Sequence, residues 1–283
     1  MPPPRPLTVL GSINLDLIAT AERLPRPGET VGGGILTRQP GGKGANQAVA
    51  AARLDGGSRL IGAVGDDVAG REMLAALTAA GVETRDVAVR DGATGTALIL
   101  VDAVGENEIV VCPGANSLVS LEGIELDHDE MLLCQLEVGI DVVLAASRRH
   151  SGFFALNAAP AQPLPAELVR RCDLVIVNET EYADMPELAD ARLVAVTYGQ
   201  HGSALYENRN LVVRAPGEKA AVVNTIGAGD AFCAALVLAL REGLPYGIAL
   251  GAANRVGADA VSQAASQPAL APLSRYIAAE ETP

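Results

Sequence analysis

Five short apolar runs constrain this chain more than any other feature. They are Leu7–Leu10, Leu132–Leu136, Phe153–Asn157, Leu174–Val177 and Leu193–Thr197, and each gives way to glycine or polar residues. A continuous apolar run of this length, bounded by turn residues, reads as a strand buried on both faces. Between most of them lie helical patterns. Ala45–Leu54 is Ala-rich, Gly70–Ala80 is closed by Gly81, Asp230–Arg241 is apolar nearly all round, and Ile248–Val261 is again Ala-rich. This alternation predicts an α/β fold, a mostly parallel sheet with helices on both faces. Two stretches break the rhythm. Gly28–Gln39 is Gly-rich with room for one extended strand, and Thr96–Asp102 and Glu108–Cys112 flank a turn at 105–107. Together they predict a small β-sheet lid, with strands from about 12–39 and 94–113, on a single domain spanning 1–283.

Composition narrows the function classes. Aromatic residues make up 3% and Trp is absent, so the core must be built from Ala, Val, Leu and Ile. The formal charge of −13 argues against a nucleic-acid partner, which selects a basic face. No run reaches the ~18 apolar residues of a membrane helix, and MPPPRPLTVL lacks the apolar run of a signal peptide. The expectation is a cytoplasmic protein with no membrane partner and a frayed tail over its first six residues. Cys112, Cys134, Cys172 and Cys233 form no CxxC pair and are expected to be buried, reduced thiols. The spacing of His128, His150 and His201 matches no metal site.

Four stretches carry chemistry. In Asn224–Asp230 (NTIGAGD), three small residues precede an acid at the start of a buried helix. The N–H groups of Gly227, Ala228 and Gly229 can converge on one anion, with the helix dipole behind them. Asp230 beside a phosphate suits a general base that takes a proton from an attacking hydroxyl, and it also reads as a simple N-cap. In Gly41–Gln47 (GGKGANQ), glycines allow close backbone approach, and Lys43 and Asn46 offer donors to hydroxyls. Lys43 is followed by Gly44, so this is not a Walker A loop; a plain turn into a helix is the simpler reading. Asn178-Glu179-Thr180-Glu181 suits either a hydrated Mg²⁺ or a capping box with Asn178 as N-cap. Thr197–Gly202 is a strand end followed by glycines, able to cover nucleotide phosphates, with His201 an exposed loop residue. A dinucleotide-binding oxidoreductase is rejected, because GSINLD and not GxGxxG follows the first strand.

Taken together these stretches resemble the ribokinase-like (PfkB-type) carbohydrate kinase family. The resemblance runs through GSINLD at 11–16, PGETV at 27–31, GGKGANQAVAAA at 41–52, GAN at 114–116, QLE at 135–137, LNAAPA at 156–161, NETE at 178–181, the TxGxxG run and GAGD. Each motif is weak, but the order is specific and spans nearly the whole chain. The resemblance implies ATP-dependent phosphorylation of a small sugar, with ribose the expected substrate. It implies sugar contacts from Asn14, Asp16, Gly42, Lys43, Asn46, Glu137 and Asp230, with Asp230 as catalytic base and Gly227, Ala228 and Gly229 as anion hole. It further implies nucleotide contacts from Asn178, Thr197, Gly199, Gly202 and Asn254, with Mg²⁺ held through water by Glu181. Asn224 and Ile226 occupy the family's monovalent-cation (K⁺) position, and the lid is expected to form a homodimer. Three departures stand out. Asn224 replaces the Asp of K⁺-using members, which predicts weak or absent K⁺ activation. The segment 182–196 is short, and Ala159 replaces a Pro. The alternatives are another sugar or nucleoside as substrate, or a catalytically weak sugar-binding regulatory protein.

Overall fold

The structure, a computed structural model, describes residues 7–277, so the expected N-terminal tail lies outside the described residues. In chain order the strands are β1 (Leu7–Leu10), β2 (Asn14–Thr20), β3 (Ile35–Gly41), β4 (Ser58–Gly65), β5 (Val82–Glu83), β6 (Val87–Arg90) and β7 (Gly95–Val101). They continue as β8 (Asn107–Cys112), β9 (Leu132–Gln135), β10 (Phe154–Asn157), β11 (Leu174–Asn178), β12 (Leu193–Thr197), β13 (Ser203–Glu207) and β14 (Asn210–Ala215). The helices are α1 (Lys43–Asp55), α2 (Val68–Ala79), α3 (Ile140–Arg149), α4 (Ala166–Arg171), α5 (Glu179–Asp184), α6 (Ala228–Arg241), α7 (Tyr246–Val261) and α8 (Leu273–Ile277).

The main sheet has ten strands in the order β14-β13-β12-β11-β10-β9-β1-β4-β5, with β6 also on β4. From β5 to β12 every pairing is parallel, and the β12–β13 and β13–β14 pairings are antiparallel, so β13 alone runs against the rest. The expected sheet and its five apolar strands are therefore present. Strand β4, SRLIGAVG, was not anticipated and is buried along its whole length despite carrying Arg59. Arg59 is tolerated there because Asp86 (2.7 Å) and Glu130 (3.1 Å) neutralise it.

Two apolar cores cover the two faces of the sheet, and α1, α6 and α7 form the larger one. Alanines supply much of that core, including Ala45, Ala48, Ala51 and Ala52 on α1 and Ala231, Ala234 and Ala235 on α6. Small side chains bring α1 and α6 close together, which places residues of both at one end of the sheet.

The second sheet has the order β3-β2-β7-β8. It begins where β1 ends, since only residues 11–13 separate β1 from β2. Its inner face, Asp16, Ala97, Ile99, Asn107, Ile109 and Val111, therefore overhangs the carboxyl ends of the parallel strands, where open α/β sheets bind ligands. Cys112 corrects an expectation. It ends the edge strand β8 opposite Thr96 and is exposed, whereas Cys134, Cys172 and Cys233 are buried, and all four thiols are free.

Candidate active site

Asn14 and Asp16 enter the cleft because they share one face of β2, two residues apart. Asn14 is aimed by Asn116, whose amide nitrogen donates to Asn14 Oδ1 at 2.7 Å and whose oxygen accepts from the Ile13 N–H at 2.9 Å. Asp16 is only 5% exposed, and its Oδ1 has no partner. Gly41 makes room for this carboxylate, since a Cβ there would lie 2.1 Å from Oδ2. Burial, then the charges of Glu137 and Asp230, push the Asp16 carboxyl up to about 7.

Helix α1 starts at Gly42, whose φ of 88° is open to glycine and strained for other residues. This turn delivers Lys43 into the cleft. Glu137 stands opposite, accepting from the Lys43 N–H at 3.2 Å and from the Ser12 hydroxyl. Burial pulls the Lys43 ammonium down, but the carboxylates of Asp230, Glu137 and Glu181 outweigh it and hold it above its ordinary value.

Asp230 sits in the first turn of α6, and Gly227 at φ 81° is the N-cap. The carboxylate is thus free of the capping role that its place in the sequence also allowed. It is buried and gripped by α1: Asn46 Nδ2 donates to Oδ2 at 3.1 Å and Gln47 Nε2 to Oδ1 at 3.0 Å. Gln47 is a functional candidate missing from the sequence reading. Its amide also donates to Asn157 Oδ1 at 3.0 Å and accepts from Gln135, while Asn157 Nδ2 donates to the Ile176 carbonyl at 3.1 Å. This buried amide chain fixes which way the Gln47 donor points. Its one available signal is position: Gln135 and Asn157 both end buried strands. Burial pushes the Asp230 carboxyl above the ordinary range, and Lys43, Gln47 and Asn46 pull it part of the way back.

On the side expected to meet the nucleotide, Asn178 and Glu181 form the reciprocal capping box at the start of α5, with both bonds at 2.8 Å. Both also line the cleft, as does Thr197 at the end of β12. The Glu181 carboxylate keeps one oxygen outside the box, so the residues present fit a hydrated divalent cation. Gly199, Gly202 and Asn254 are not in the lining. Gly202 packs on the backbone at 215–217. The Asn254 amide donates to the Ala215 (3.3 Å) and Pro216 (2.9 Å) carbonyls, and its oxygen accepts from Ser203. Ala228 lies on the N-terminal turn of α6 but outside the lining, between Gly227 and Gly229, which are in it. Asn224 donates to the Ala264 carbonyl at 2.9 Å and accepts from the Ile226 N–H at 3.0 Å. The Asn224 oxygen is neutral and already accepts one N–H, so it offers a monovalent cation less than a carboxylate would.

The cleft so formed encloses about 380 Å³, within the range of small-molecule sites. One wall is the lid, the floor is α1 and Glu137, and the far end is the N-terminus of α6. Its chemistry is that of hydroxyl recognition by carboxylates and amides beside a helix N-terminus able to hold an anion.

Comparison with known proteins agrees with this geometry. The family model for pfkB family carbohydrate kinases matches residues 5–272. The chain belongs to this family and is a sugar kinase with the ribokinase-like α/β fold. Among its relatives, a ribokinase of Bacillus subtilis is 38% identical, covering 93% of this chain and 95% of its own. A deoxyribokinase of Salmonella typhi is 34% identical, covering 80% and 82%. The structure of Arabidopsis thaliana ribokinase complexed with ribose and ATP superposes with a TM-score of 0.88 at 28% identity, covering 98% of this chain and 99% of that one.

Proposed function

We propose that this protein transfers the γ-phosphoryl group of ATP to the 5-hydroxyl of D-ribose, giving ribose 5-phosphate and ADP. One observation carries the reading: a buried carboxylate, Asp230, held by one amide on each oxygen, in the first turn of a helix whose N-terminus opens on the same cleft. Each Asp230 oxygen keeps a lone pair beyond its amide bond, so the carboxylate can accept the hydroxyl proton as the sugar oxygen attacks. The new bond forms between that oxygen and the γ-phosphorus. The bond to the bridging oxygen breaks, and its electrons leave with ADP. Charge on the transferring group faces the N–H groups of Gly227, Ala228 and Gly229.

The carboxylates of Asp16, Glu137 and Asp230, with Asn14, Asn46 and the Gly42 turn, favour a ligand that donates several hydroxyls. Lys43 is the one cation among the lining residues, so a sugar already phosphorylated would meet more repulsion than attraction. Ribose is favoured over other sugars by relatives that are ribokinases, and a deoxyribokinase relative marks the nearest alternative. ATP would lie along Asn178, Thr197, Gly199 and Gly202 toward Asn254. Mg²⁺ would sit by Glu181 through water and neutralise phosphate charge when bound. No monovalent cation is required in this reading, because the Asn224 amide already ties its loop to Ala264.

The chain acts as one unit in which the small sheet is the lid. The outer face of that sheet carries exposed Leu98 (44%) and Val110 (60%), paired across β7 and β8, apolar surface best covered by the lid of a second copy. Three buried free cysteines suit a reducing compartment such as the cytoplasm. The test is ADP release from ATP–Mg²⁺ across a sugar panel. Ribose should give the highest kcat/KM; fast turnover confined to another sugar would keep the chemistry and discard ribose.

A further inference from the structure

The lid reaches the N-terminus of α6 by two separate routes. One runs through β7. Ile18, Ala97 and Ile99 on the lid's inner face form a small buried cluster of their own, and Ile226 packs against it. Ile226 immediately precedes Gly227, the N-cap of α6, and its N–H is held by Asn224. The other route runs through β3. Gln39 Oε1 accepts from the Ser266 N–H at 3.1 Å, and the Pro40 carbonyl accepts from the Ser266 hydroxyl at 2.8 Å. Ser266 is 2% exposed, and its carbonyl stands against Gly227, where a Cβ would fall 1.9 Å away. A single buried serine therefore touches the lid with its N–H and hydroxyl, and the N-cap with its carbonyl. The chain on either side is tied down too. Ala264 accepts from Asn224, and Gln267 donates at 3.2 Å to Asn46, which itself holds Asp230.

We infer that Ser266 and Ile226 are positioning residues that couple the lid to the anion hole, so that a sugar seated under the lid orients the N–H groups of Gly227, Ala228 and Gly229 for the incoming phosphate. Neither side chain needs to touch the reacting atoms. Close-packed contacts transmit small displacements because packed interiors shift between discrete arrangements and compress little. A link of this kind is a coupling free energy between the sugar and nucleotide sites, and it must be reciprocal. The inference rests on the sugar-kinase reading above and adds to it a route between the two substrates.

The test uses full-length protein and the variants Ser266→Ala, Ile226→Ala and Ile226→Val. The Kd of a non-hydrolysable ATP analogue with Mg²⁺ is measured by calorimetry with and without saturating ribose, alongside kcat. In the wild type, ribose should tighten nucleotide binding by about 5-fold or more, within the usual range of such couplings. Ser266→Ala and Ile226→Ala should each reduce this factor toward one and lower kcat by about 5–10-fold, the scale of losing one buried contact. Nucleotide Kd without ribose should stay within about twofold for Ser266→Ala, whose side chain is held by the Pro40 carbonyl and lies outside the cleft lining. Ile226→Val keeps most of the apolar contact and should keep the coupling. A merely structural role would lower Tm and the active fraction and leave the coupling factor per folded molecule intact. Full coupling in both alanine variants, or no coupling in the wild type, would overturn the inference. Wild-type ribose turnover is read separately, so loss of the coupling claim leaves the kinase claim standing.

Discussion

At the scale of single residues, the cleft is a place where stability is given up for recognition. Asp16 shows this most clearly: it is buried beside two other carboxylates, one of its oxygens lacks a partner, and its carboxyl is pushed up to about 7. Below that pH the free protein carries a neutral Asp16, which has lost acceptor strength toward a sugar hydroxyl. KM for the sugar should therefore rise as pH falls from about 8 to about 6, a change read from initial rates. The effect on stability has the opposite sense to that of a salt-bridged carboxylate. The folded state binds the Asp16 proton more tightly than the unfolded chain does, so the penalty grows as pH rises from the ordinary carboxyl range to about 7. Asp16→Asn should raise Tm at pH 8, with the gain shrinking toward pH 4, while sugar turnover falls. A variant less stable than the wild type at pH 8 would contradict this account. Asp16, Lys43 and Asp230 could be singled out in the sequence because they stand in the GSINLD, GGKGAN and GAGD runs that carry the family resemblance. Gln47 was not legible. Its role depends on Asp230, Asn157 and Gln135 arriving beside it, and the nearest of these is 88 residues away.

Among the elements, the five apolar strands were legible because a strand buried on both faces has no polar alternation to obscure it. Two kinds of strand escaped. β4 opens with Ser58 and Arg59, and only its partners Asp86 and Glu130 make that arginine compatible with burial. The β13–β14 hairpin turns on Asn208 and Arg209, both at positive φ, where Asn-Gly would have been the recognisable signal. The short stretch after β11 was anticipated from its length. It holds only the six-residue α5 and a 3-10 turn, with Tyr182 of α5 stacked on Tyr206 of β13 at 5.7 Å. The loop before α6 carries its own prediction. Asn224 ties that loop to Ala264 with an amide donor, so turnover should be equal in Na⁺ and K⁺ buffers. K⁺ should leave the wild-type Tm unchanged, whereas Asn224→Asp should gain stability from added K⁺. A large K⁺ stimulation of wild-type turnover would refute this.

The whole molecule places its chemistry between two bodies, a ten-stranded sheet and a four-stranded lid that springs from the end of its interior strand β1. The apolar surface left on the lid predicts a dimer, readable by analytical ultracentrifugation. Leu98→Lys with Val110→Lys should give a monomer, while a wild-type monomer at micromolar concentration would contradict the lid interface. What unites the two bodies is the meeting of α1 with α6, which brings Asn46 and Gln47 onto an aspartate more than 180 residues further along the chain. The central claim, that this aspartate is the base of a sugar kinase, is tested most directly by Asp230→Asn. The substitution keeps the shape of the side chain and removes its capacity to take a proton. Turnover of ribose should fall by about 10²–10⁴-fold, the usual contribution of a general base, while ribose and ATP binding, measured by calorimetry, persist. Turnover within about threefold of wild type would show that Asp230 is not the base.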